Sequence, residues 1–285
     1  MRGTDRALLP GLAMALAVLV FSAGTAEALE LWSDGPASVD LNLSVKSTSI
    51  LSHAPGDTVY YPEEWSAASL WRCRAVLEAR PNNWMSAQLA YEQSLRTVSE
   101  GAGAGGGAGV LPADIDAPYR VSQLDDGLVE IGSTFSYRHE LDRAVVSASL
   151  GRADVTVGRQ GVGWGRGMVF GAVDVFAPFS PLESDREWRR GIDAVRVRMP
   201  LTDLISVDGV AAFGESTEES AYVGRIHGYV GDIDGELFAG SRCEDGFYGA
   251  SMSLPLFDAE FHGEAAVFVS PDPLPAGGSF DSDDV

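Results

Sequence analysis

The sequence predicts an all-β chain, an antiparallel up-and-down β-barrel that crosses a membrane with strands. Three observations carry that expectation. Apolar and polar residues alternate with period 2 along almost the whole chain after residue 38. The charged members of the alternation gather on a single side of each strand, as a wet lumen would require. Connections alternate between short turns and longer, charged links, the asymmetry of outer-membrane barrels.

The chain opens with Arg2 and Arg6, followed by an apolar run from Leu8 to Phe21 and the small-x-small triplet Ala26-Glu27-Ala28. This reads as an export signal over residues 1–28, with the barrel in 29–285. The run is too short for a membrane-spanning helix, which needs about 20 apolar residues. The formal charge is −21, from 41 acidic against 20 basic side chains, which excludes a nucleic-acid partner that needs a basic surface. Two cysteines are too few for a disulfide framework. Cys73 falls on a lipid-facing strand position and Cys243 in a loop, so no bond between them is expected.

Taken in order, the first strand is Val39 to Leu51, with Val39, Leu41, Leu43 and Val45 opposite Asp40, Asn42 and Ser44. Pro55-Gly56-Asp57 marks a loop. Leu70 to Arg80 sets Trp71, Cys73, Ala75 and Leu77 against Arg72, Arg74, Glu78 and Arg80. Pro81-Asn82-Asn83 turns the chain into Trp84 to Arg96. A long loop with the run GAGAGGGAG follows; it lacks the Lys-Ser/Thr ending of a phosphate cradle. Leu128 to Arg138 is the next strand, and the polar His139 to Arg143 the next turn. Ala144 to Gln160 reads as one long strand whose parity changes once, at a bulge near Gly151 to Ala153. Beyond the central loop come Gly191 to Met199, Leu204 to Phe213, Tyr222 to Tyr229, Ile233 to Ala239, Phe247 to Leu254 and Ala259 to Val269. The total is eleven strands. Bacterial single-chain barrels have even counts, so eleven implies part of a larger, even-stranded barrel with a truncated C-terminus.

The polar side of this series supplies the pore-lining candidates Arg72, Arg74, Glu78, Arg138, Arg196, Arg198, Asp234, Glu236 and Glu264. The central loop, about thirty residues long, is too long and too aromatic for a mere chain reversal. It supplies the constriction candidates Arg159, Trp164, Arg166, Asp174, Asp185, Arg186, Arg189, Arg190 and Asp193. Structural Arg–carboxylate pairs that pin the loop to the barrel wall, rather than bind a ligand, are the leading expectation for these charges.

Four motifs here resemble a segment of bacterial outer-membrane porin-like barrels, the alginate-export and related large-barrel families. They are Gly158-Arg159-Gln160, Trp164-Gly165-Arg166-Gly167, Asp174-Val175-Phe176-Ala177-Pro178, and RRGIDAVRV at Arg189 to Val197. The resemblance implies a barrel with this loop near the pore, and it transfers no substrate. The expected function is a porin-like outer-membrane channel for passive passage of small solutes or ions. The expected partners are outer-membrane lipid and the solute, with an oligomer left open. No cofactor, metal site or enzymatic activity is expected. The alternatives are a non-conducting structural or surface-binding barrel, and behind it an outer-membrane hydrolase using a Ser/His pair, with His227 and His262 facing the lumen.

Overall fold

The computed structural model describes residues 15–22, 28–53, 64–99, 118–122, 126–132, 134–167, 171–179 and 189–271. These form one antiparallel sheet of fourteen strands. The strands are β1 (Ala15–Ser22), β2 (Leu29–Asp34), β3 (Ala37–His53), β4 (Trp65–Asn82), β5 (Met85–Val98), β6 (Asp126–Ile131), β7 (Phe135–Leu150) and β8 (Ala153–Gln160). They continue with β9 (Ile192–Pro200), β10 (Ile205–Ala212), β11 (Ala221–Val230), β12 (Ile233–Arg242), β13 (Asp245–Leu256) and β14 (Ala259–Val269). Neighbours in sequence are neighbours in space, except that β1 and β2 both pair with β3, and β5 and β6 both pair with β7. No described residue is helical. β1 and β14 are the two edges, and they do not pair with one another.

Eleven of the fourteen strands form the continuous series from β3 to β14; β1, β2 and β6 add to the eleven expected, and the expected strands Leu128 to Arg138 and Ala144 to Gln160 are divided differently. The His139–Arg143 segment is no turn; it lies inside β7, paired with Tyr91 to Gln93 and Ala90. The parity change near Gly151 is no bulge; it is the two-residue turn between β7 and β8, with Gly151 at φ 69°. The bulge sits at Asp142 instead, where Ala90 faces Arg143 and Tyr91 faces Leu141. Asp142 is the extra residue, and an unpaired bulge residue is free to aim its side chain where the ladder would not. Leu128 to Arg138 is also split: β6 is a short flap hydrogen-bonded to the start of β7. The link near Ser241 is a tight turn at Cys243–Glu244, both at positive φ.

The two faces of the sheet are inverted relative to a soluble protein. One face exposes Trp71, Leu89, Val146, Val157, Val197, Ile226, Leu237, Tyr248 and Val267. The other buries Arg72, Arg74, Asp208, Glu236, Ser251 and Ser253. Period-2 alternation alone cannot say which side faces the solvent. Here the apolar side faces outward. Both cysteines are exposed free thiols, Cys73 among that outward set on β4.

Part of the polar face is covered by chain. Residues 161–167 and 171–179, between β8 and β9, fold back over it, and Val162, Trp164, Val173, Val175 and Phe176 form a buried cluster there. Their partners on the sheet are Val210, Ala212, Val223, Phe238 and Phe247. Phe176 and Phe238 both sit against the Trp164 ring, at 5.0 and 5.6 Å between centroids. Aromatic pairs of this kind add about 0.5–1.5 kcal/mol beyond their burial. The apolar residues of the central loop therefore have a structural task, fastening it to the inner wall of β10–β13.

Candidate functional site

The inner face below the loop is built by register. β9, β10, β11 and β12 place Arg198 opposite Asp208, Asp208 opposite Arg225, and His227 opposite Glu236. Charges of opposite sign at paired positions meet across strands. Arg196 donates Nε–H to Asp208 Oδ1 at 3.0 Å and pairs with Oδ2 through Nη2. Arg225 bridges Asp208 at 3.0 Å and Glu236 at 2.9 Å. Ser251 donates to Glu236 at 2.6 Å. The Asp208 side chain is 1 % exposed, and guanidinium groups from two strands hold this carboxylate.

The central loop enters that ladder. Arg166 inserts its guanidinium between Asp234, at 2.6 Å, and Ser253 Oγ, at 2.8 Å, with Glu236 at 3.8 Å. Glu264, on β14, accepts three backbone N–H bonds from the loop: from Arg166, from Gly167 at 2.8 Å and from Ala172 at 2.8 Å. Gly165, between Trp164 and Arg166, has φ 100°, a conformation that L side chains resist, and its α-carbon faces the Glu264 carboxylate. Trp164 Nε1–H reaches Asp208 Oδ2 at 3.4 Å, and its ring lies 5.5 Å under the Arg225 guanidinium.

The loop's exit is fixed from the opposite side. Arg189 pairs with Asp174, donates to the Ala177 carbonyl at 2.6 Å and lies 4.6 Å over the Phe179 ring. Arg190 is half-buried beside it. Arg143 donates to the Arg189 carbonyl at 2.6 Å, and the bulged Asp142 accepts the Gly191 N–H at 2.8 Å. Asp142 also holds Arg74 at 2.6 Å and Arg143 at 2.7 Å, while Arg74 reaches Glu92 at 3.1 Å. Arg159 ties β8 to β9 through Asp193 at 2.9 Å. A second loop segment, 118–122, locks onto the same corner: Arg120 is buried, donates to the Gly191 carbonyl at 3.0 Å and pairs with Glu140. Val121 N–H donates to Asp193 at 3.0 Å.

A Cβ at Gly191 would overlap the Asp142 carbonyl oxygen. Gly191→Ala is therefore expected to push β9 from β7 and cost roughly 1–3 kcal/mol, the usual penalty for overpacking. A thermal melt in detergent followed by circular dichroism checks it.

Of the sequence-derived residues, Arg72, Arg74, Glu78, Arg138, Arg196, Arg198, Asp234, Glu236 and Glu264 all fall on the inner face by strand register. Arg159 and Asp193 lie on the strands that carry the loop rather than on the loop itself. Asp185 and Arg186 lie outside the described residues. The charges pair both within the loop, as Asp174 with Arg189, and across to the sheet, as Arg166 with Asp234. The reading overlooked Asp142, Arg143, Glu140 and Arg120. The first three sit in a polar run that looks like a turn, and only long-range pairing shows that it is a strand.

Burial pushes the Asp174 carboxyl above the usual range, against the pull of Arg189 beside it. A raised folded-state pKa means stability present below the unfolded value and lost as pH rises through the folded one. The Asp174→Asn variant is accordingly expected to lose less stability than the parent between pH 4 and 7, as read by melts at both pH values.

No family model matches this chain. No curated protein and no solved structure matches it either. The arrangement stands on its own chemistry: an outward apolar face, an inward charged one, and an internal loop held by carboxylates and arginines.

Proposed function

We propose that the chain forms a membrane-spanning barrel whose charged inner face, narrowed by the 161–179 loop, passes small solutes or ions. The observation that carries this is the inverted sheet. Large apolar side chains cover one face while arginines and carboxylates are buried on the other. In water that outward face would be an aggregation hazard far beyond ordinary patches; in lipid it is the required surface. Strands of 8 to 18 residues in the β3–β14 series bracket the 9–11 or so needed to cross an apolar layer at a tilt. Trp84, Leu150, Leu204, Tyr229 and Phe257 stand exposed at or beside the short turns, where amphipathic rings suit a membrane–water boundary. The resemblance of the central motifs to alginate-export and related porin barrels supports the same reading, and an outer-membrane location follows from it. Lipid tolerates no unpaired strand edge, so the reading requires that the β1 and β14 edges be satisfied in the assembled barrel.

The test is reconstitution of the full chain into planar bilayers. Stepwise single-channel currents are the expected result; protein that partitions into the aqueous phase and gives no current refutes the reading.

A second reading has one specific observation behind it. Ser206 Oγ lies 3.5 Å from His227 Nδ1, and His227 Nε2 lies 2.8 Å from Asp234 Oδ1, the order of groups used by serine hydrolases. The Ser–His separation is at the far limit of a hydrogen bond, and Asp234 is shared with Arg166. Labelling of Ser206 by a fluorophosphonate probe would favour this hydrolase reading over the channel.

A further inference from the structure

The described part of the loop, 161–167 and 171–179, does not cover the inner face evenly, and the asymmetry assigns a charge preference to the space beside it. Over β12–β14 the wall is acidic, but three of its acids are occupied by the loop: Glu264 accepts three loop N–H groups, and Arg166 engages Asp234 and Glu236, while Glu260 lies 3.6 Å from His262. On the opposite side, between β5, β7, β8 and β9, an open cavity of about 320 Å³ remains beside the loop. Its charged lining is Arg143, Arg196 and Arg198 against the single carboxylate of Asp154, with Gln88 and Thr156 among the neutral donors. A second cavity, of about 570 Å³, shares Asp154 and leads to the turn end at Asn83 and Trp84.

The three arginines differ in how much of their charge is already spoken for. Arg196 is clamped on Asp208 through Nε and Nη2, and Arg143 on Asp142 and the Arg189 carbonyl. Arg198 is 52 % exposed, its nearest carboxylate is Asp208 at 4.0 Å, and it makes no hydrogen bond among the described residues. The carboxylates Asp208 and Asp142 hold Arg196 and Arg143 from outside the cavity and do not line it, whereas all three arginines do. A solute in the cavity meets donors first and acceptors second. Guanidinium donors attract a small anion while a cation meets them as repulsion, and at short range that local field outweighs the distant, salt-screened charges of a chain whose net charge is −21.

We propose that this eccentric passage prefers small anions such as chloride or a short carboxylate, with Arg198 as its specificity-determining residue. The proposal rests on the channel reading. Asp154 lies opposite Arg198 in the β8–β9 register and opposes the preference.

Reversal potentials of the reconstituted full-length protein under a potassium chloride gradient test it. The parent is expected to prefer chloride. Arg198→Gln should reduce the chloride-to-potassium permeability ratio several-fold with conductance steps retained, Arg198→Glu should invert it, and Asp154→Asn should raise it. Arg198 is half exposed and its contact with Asp208 is a long one, at 4.0 Å, so these variants keep the fold. Cation preference in the parent, or an unchanged ratio in Arg198→Gln, overturns the anion assignment while leaving the channel intact. Absence of current in every variant overturns both.

Discussion

Glu264→Ala is expected to free the central loop from the wall and raise single-channel conductance several-fold, with new protease cleavage inside residues 161–179. The reasoning is local. One carboxylate accepts three backbone N–H groups, from Arg166, Gly167 and Ala172, across a sequence separation that no local turn could replace. Hydrogen bonds to a charged acceptor contribute about 1.5–3 kcal/mol each, and removing the acceptor leaves three backbone donors without a partner. The loop has other anchors: Trp164 and Phe176 in the apolar cluster, and Arg166 among Asp234, Glu236 and Ser253. Those anchors hold the stretch near Trp164 and the Arg166 side chain. The Gly167–Ala172 side depends on Glu264. Release should therefore be partial and should begin there. Glu264→Gln keeps one carbonyl oxygen as acceptor and should fall between the parent and Ala. Unchanged conductance together with an unchanged cleavage pattern in Glu264→Ala would show that the loop does not narrow the passage.

The contrast between what the residues disclosed in advance and what they hid has a physical basis. Alternation was readable because the inner face is charged and the outer apolar, so every strand from β3 to β14 carries a strong period-2 signal. The residues of the charged face followed from that signal at once, since a strand allows only two directions for a side chain. The Asp142 bulge was hidden because a bulge is a property of two strands: His139–Arg143 reads as a polar turn until Tyr91 and Ala90 are set against it. Gly151-Arg152, with no Pro, Asn or Asp, gave a weaker turn signal than the polar run before it, so the turn and the bulge exchanged places. The partners of the loop were hidden for the same reason. Arg166 and Glu264 are 98 residues apart, and nothing local to either announces the other. Sidedness could be read, whereas tertiary pairing could not.

Removing the Asp208 carboxylate should produce the largest loss of stability of any single change on the inner face. Asp208→Ala is expected to cost roughly 3–5 kcal/mol, the penalty for breaking a buried ion pair from one side. The cause is what it leaves behind. Arg196 and Arg225 approach the same carboxylate from neighbouring strands, and the Asp208 side chain is 1 % exposed. Without it two guanidiniums face each other over a site with little water, and Arg225 keeps only Glu236. Trp164 also loses the acceptor of its indole N–H, so the damage reaches the loop. At the usual proportion between free energy and melting temperature this is a fall of about 10 °C. The decisive control is Arg196→Met with Asp208→Leu, which removes the charge pair as a unit. Because burying charges already costs desolvation, that double variant should recover part of the loss, which neither single variant should do. A melt of Asp208→Ala within 2 °C or so of the parent, a difference worth under about 1 kcal/mol, would mean the arginines find other partners and the cross-strand ladder does not brace the wall.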